Sequence, residues 1–222
     1  MGAVLALIAL IGYPAPRAQT ALYWGALTLL IGCAALAWFG GGAAALRQPA
    51  TRRLIIGFGV GIGACWIIEM VVANLVPVPT SAHRFAYFAY LVAYEGPTLI
   101  AFALPVVGGF VTTRLTRRLS DGIAVSFWVG LLSGLIGYLT LMFLTYTCLG
   151  VIEHDPQTLS QFAQSHRQQP TLTLSAFIVG DSLFGSVSHL LLIGAGWGSL
   201  LGALGAVLGR LPIRGQRGAP VP

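Results

Sequence analysis

From Gly122 to Gly150 the chain runs for 29 residues without one charged side chain. About 20 apolar residues suffice to carry a helix across the hydrocarbon core of a bilayer. The run is not isolated, because 8% of all 222 residues are charged and 56% are hydrophobic. Soluble domains carry roughly 25% charged residues, so this chain has too little polar surface to face water on all sides. Its composition predicts an all-α integral membrane protein, a single polytopic domain over residues 1–222. The longest polar stretch covers only residues 151–172, read as an outer loop.

Five further segments complete the pattern, giving spans at about 2–16, 21–41, 54–76, 86–113, 122–150 and 173–209. The first is short and ends at Pro14 and Pro16, where proline stops a helix. It has no basic leader and no clear small-residue cleavage site, which argues against a signal peptide. The expectation is an antiparallel bundle of six helices, or five if residues 2–16 do not span. A helix over all of 173–209 would be about 55 Å long at 1.5 Å per residue, far more than a bilayer needs. The stretch "TLTLSAFIVGDS" therefore reads as an interfacial approach, with the helix proper beginning near Asp181 or Ser182.

The arginines orient the spans. Arg47, Arg52 and Arg53 share one loop, Arg114, Arg117 and Arg118 another, and Arg210, Arg214 and Arg217 follow the last span. The alternate loops hold only Arg17, Arg84 and Arg167. Nine against three, in strict alternation, is the positive-inside pattern. It predicts a cytoplasmic C-terminus in a bacterial-type inner membrane. Tyr87, Tyr90 and Tyr94 then begin the fourth span at the outer interface, the zone tyrosine favours. The clustered arginines are accounted for by topology, so the net charge of +6 is not a nucleic-acid signal.

Helices in lipid associate through small residues that let backbones approach. Three ridges of this kind are present: Gly57, Gly61, Cys65, Glu69 and Ala73 in the third span; Ser126, Gly130, Ser133, Gly137 and Thr140 in the fifth; and Gly194, Gly198, Gly202, Gly205 and Gly209 in the last. Cys33, Cys65 and Cys148 lie in apolar segments without metal-type spacing and read as packed thiols.

Apart from Asp121, every acidic residue falls on the outer half. A charged group near the bilayer centre costs about 2.5–3.5 kcal/mol on insertion scales, so such groups usually face an interior or water and serve function. Glu69 lies on its small-residue ridge and is the first candidate, with alternating protonation as a coupling step. Glu95 precedes Gly96 and Pro97, a helix break of the kind that lines transporter sites. Asp181 in "GDS" reads first as an N-cap, and His189 as an interface residue or ligand. These four, Glu69, Glu95, Asp181 and His189, are the binding and proton-coupling candidates. Glu153, His154 and Asp155 with His166 are weak metal candidates that need His166 to fold back on the tripeptide.

No zincin, dinucleotide, Walker or haem signature occurs, and the cofactor, if any, is unknown. "GLLSGLIGY" with Ser133 and "SHLLLIGAGWG" with His189 have a passing similarity to the serine and histidine helices of rhomboid proteases. The chain departs from that pattern because two residues separate Gly130 from Ser133 and no span lies between the two helices. The favoured reading is a small-solute or ion transporter, or a permease-like subunit, with an outward acidic and histidine pocket. The alternatives are an accessory or scaffold subunit of a larger membrane complex and a metal-dependent intramembrane enzyme. Its expected partners are the lipid bilayer and either further copies of itself or other membrane subunits.

Overall fold

The computed structural model describes residues 48–79 and 83–211, with Thr28 and Gly32. The expected spans 2–16 and 21–41 therefore lie outside the described residues, except for those two helical positions. Described residues form helices and connections with no strand, as lipid requires, since a spanning helix satisfies its own backbone groups. Helix α1 covers Pro49–Leu75, α2 Arg84–Thr116 and α3 Leu119–Thr147. Two short helices follow, α4 (Leu149–Ile152) and α5 (Pro156–Gln168). The last helix joins α6 (Leu174–Ser188), a π-helical segment His189–Trp197, and α7 (Gly198–Arg210). Four helices, α1, α2, α3 and the continuous Leu174–Arg210, are long and apolar enough to cross a membrane.

Local chemistry sets the boundaries. Pro49 opens α1, where its missing N–H is not needed. At the other end Val76 turns extended (φ −102°, ψ 117°), as a residue before proline prefers. Helix α2 ends at Arg117, whose left-handed φ of 59° closes the turn while its N–H donates to the Thr113 carbonyl. Only Arg117 and Arg118 join α2 to α3, which forces an antiparallel pair.

Two boundary expectations need correction. The last helix does not begin at Asp181 or Ser182. It begins at Leu174, where the Thr173 hydroxyl accepts the Ala176 N–H. Thr173 supplies the cap, so Asp181 is seven residues inside the helix and caps nothing. At 37 residues this helix is about 55 Å long, against a hydrocarbon core of about 30 Å, so its ends project beyond the membrane. The outer loop 151–172 is also largely helical. Pro156 at the first turn and Asp155 as cap, whose Oδ2 accepts Thr158 N–H at 2.7 Å, start α5 there.

Packing centres on α3. Its glycines face the last helix, where a Cβ on Gly130 would overlap the Gly194 carbonyl oxygen and one on Gly202 would overlap Ser126. Gly205 lies against the Val106 carbonyl of α2, and Gly209 against Phe110. Ser133 is buried and its Oγ donates to the Gly130 carbonyl at 2.9 Å, within its own helix. Tyr138, Met142, Val179, Leu183 and Leu190 fill the space between these ridges. Helix α1 differs from expectation. Gly57 is exposed with nothing near it, and Gly61 only reaches Leu104. The close approach is made by Gly59 and Gly63, which receive the side chains of Leu132 and Ile136. Both glycine pairs repeat every four residues, and spacing alone does not say which side meets a neighbour.

Candidate functional site

Consecutive long helices run in opposite directions, so the end of α1 and the beginning of α2 meet. Glu69 is six residues before the end of α1, and Glu95 is eleven residues into α2. The two carboxylates come within electrostatic range of each other, and both lie within range of the Tyr94 hydroxyl. Glu69 is half-buried, and its Oε2 is shielded without a hydrogen-bond partner. Glu95 is exposed. Among the described residues neither forms an ion pair with an arginine or histidine.

Backbone geometry favours polar chemistry at this place. Pro97 lies inside α2 and leaves the Ala93 carbonyl without its i+4 donor. A Cβ on Gly96 would meet nothing, so the backbone is open there. The Thr98 hydroxyl donates to the Tyr94 carbonyl at 3.2 Å, and Tyr90 and Tyr94 stack with centroids 6.0 Å apart.

One turn deeper, an aromatic layer closes the bundle. Trp66 meets Phe102 and His189 edge to face, at 5.9 Å and 5.5 Å between centroids. His189 Nδ1 donates to the Gly185 carbonyl at 3.1 Å, which directs its other nitrogen away from its own helix. Gly137 makes room for this layer, since a Cβ there would lie 3.3 Å from Met70 Cε and 3.8 Å from His189 Cδ2. His189 also opens the π-helical segment, a distortion frequent at functional positions. Trp66 and Glu69 are three residues apart and so share a helix face.

Of the four candidates, Glu69 and Glu95 are thus brought within electrostatic range, and His189 touches Trp66, which shares a helix face with Glu69. Asp181 is exposed on α6 and joins none of them. Tyr94, Trp66 and Tyr138, whose buried hydroxyl has no partner, escaped sequence reasoning. The i+3 spacing of Trp66 and Glu69 was the available signal.

The metal quartet does not assemble. Glu153 accepts from Ser175 Oγ at 2.7 Å and Asp155 caps α5. His154 donates to the Gly150 carbonyl at 2.7 Å, and His166 to the Leu172 carbonyl at 3.0 Å. Each group is spent on local structure, and among the described residues no three His, Cys, Asp or Glu side chains converge on a metal position. Ser133 and His189 likewise have separate partners, each a carbonyl of its own helix.

Four long apolar helices and glycine seams fit a multi-pass membrane protein. In comparisons with protein-family models, curated proteins and solved structures, the chain matches none.

Proposed function

We propose that the protein binds and moves a small cation or cationic solute across the membrane, as a transporter or permease-like subunit, through a site built on Glu69 and Glu95. The observation that carries this reading is the pair itself: two carboxylates within electrostatic range, one with a shielded oxygen that has no partner. Like charges held together repel, and a cation between them relieves the repulsion and supplies the missing partner. Tyr94 offers a third oxygen, and the open backbone at Gly96–Pro97 offers carbonyls.

The direction of access follows from charge. Arg52, Arg53, Arg114, Arg117, Arg118 and Arg210 lie at one end of the bundle, and Glu69, Glu95, Glu153 and Asp155 lie towards the other. In a bacterial-type inner membrane the arginine end and the C-terminus would be cytoplasmic, which opens the carboxylate pair outward.

The test is calorimetric titration of sodium, potassium and methylammonium onto the purified chain. Saturable binding of one of them by wild type, lost in Glu69→Gln without a drop in thermal stability, supports the site. Loss of stability without any wild-type binding would make Glu69 a fastener between helices.

A second reading, an accessory subunit, draws on Gly57, where among the described residues an added Cβ would meet nothing. A single monodisperse species in mild detergent, with no co-purifying subunit, counts against it.

A further inference from the structure

The opposite end of the bundle carries a second pocket. Helices α2 and α7 finish side by side there, because Gly209 lets α7 close on Phe110 and Thr113. Between them lies a space of about 540 Å³ lined by Thr113, Arg114, Arg117, Gly209 and Arg210. That is within the roughly 300–1,000 Å³ usual for small-ligand sites.

The lining is prepared for an anion. Arg114 is held in place: one terminal nitrogen donates to the Leu211 carbonyl at 2.9 Å, and its guanidinium carbon stands 5.3 Å from the Phe110 ring centroid. Its Nε is buried and has no acceptor. Thr113 is 2% exposed and its hydroxyl lies against Gly122 of α3, so the arginines supply the donors of the pocket. Arg117 is set by the left-handed turn that ends α2.

Helix ends weigh against an anion, since each C-terminus contributes roughly −0.5 of a charge. Three guanidiniums exceed two such ends, and among the described residues no acidic side chain lines the pocket. The neighbouring cleft of about 400 Å³ differs, because Asp121 accompanies Arg118 there.

We infer that this pocket binds a phosphate group, which guanidinium forks match in charge and geometry. Its place at the ends of two membrane helices suits the phosphodiester of an anionic lipid, and basic pockets between spans hold such headgroups. Free phosphate presents the same chemistry.

The experiment uses the full purified chain in a neutral detergent. Phosphatidylglycerol, phosphatidylcholine and inorganic phosphate are titrated at matched ionic strength, with bound lipid counted by native mass spectrometry and thermal stability recorded. Retention of phosphatidylglycerol but not phosphatidylcholine is expected, weakened about fivefold by each of Arg114→Gln, Arg117→Gln and Arg210→Gln. Arg118→Gln, outside the pocket, should change nothing. Stabilisation by inorganic phosphate, with the same loss in the variants, would make free phosphate the ligand. Should Arg114→Gln fail to fold, the exposed Arg117 and Arg210 keep the comparison intact. Equal retention of both lipids without a phosphate effect, or binding unchanged in Arg117→Gln and Arg210→Gln, overturns the inference.

Discussion

The Trp66 indole and the His189 imidazole meet edge to face, with ring centroids 5.5 Å apart and planes at 84°. This contact ties α1 to the last helix at the residue where π-helical geometry begins. Trp66 lies one turn from Glu69 along α1. A double-mutant cycle of Trp66→Ala and His189→Ala should show a coupling of about 0.5–1.5 kcal/mol, the worth of an aromatic pair beyond its buried area. Trp66→Ala alone should cost about 3 kcal/mol, because the side chain is buried at 4% exposure. Denaturation in detergent micelles measures both, and additive losses would mean that the contact carries no energy of its own.

The carboxylates divide into two groups. Glu95→Gln should weaken cation binding alongside Glu69→Gln, since each removes one carboxylate of the pair. Asp181→Asn should leave binding intact and stability within about 0.5 kcal/mol, because the side chain is exposed and caps nothing. A binding defect in Asp181→Asn equal to that of Glu69→Gln would require a different site.

Glycines should respond according to what surrounds them. Gly205→Val places a side chain on the Val106 carbonyl, where backbone must move, and the chain should lose most of its folded yield. Gly57→Ala meets open space on a helix and should stabilise by about 0.4–1 kcal/mol through the lost freedom of the unfolded chain. Melting temperatures of the two variants, taken side by side, decide the point.

Asp155 accepts both the backbone N–H and the hydroxyl of Thr158, at 2.7 and 2.9 Å. Asp155→Ala should therefore cost about 1 kcal/mol and loosen the first turn of α5. Hydrogen exchange at residues 157–160 should accelerate while the spans stay protected. Unchanged exchange would show that Pro156 alone holds that helix start.

Much of this arrangement was legible in one dimension. The α3 ridge from Ser126 to Gly137 and the last-helix ridge from Gly194 to Gly209 are spacings that repeat along one helix face; the second meets the first from Gly194 to Gly202 and meets α2 at Gly205 and Gly209. The Gly57–Gly61 ridge was equally regular, yet it makes no close backbone approach: Gly57 is open, Gly61 only reaches Leu104 of α2, and Gly59 and Gly63 meet α3 instead. Periodicity identifies a face but not the direction of its neighbour. The Asp181 cap failed for a related reason: a bilayer's thickness limits the buried part of a helix and not its full length, so α6 could start at Leu174.

The sequence by itself determined the solvent and the element type. Too few charges remain to face water, and apolar runs of bilayer length must become helices whose backbone groups are satisfied internally. Only the tertiary structure decided which polar residues meet. Glu69 and Glu95 are 26 positions apart, and nothing in their spacing brings them together. Their meeting depends on the antiparallel register of α1 against α2, set where Phe58 packs on Gly108 and Trp66 on Phe102. A shift of one helical turn is about 5.4 Å, enough to separate the two carboxylates while leaving every span unchanged.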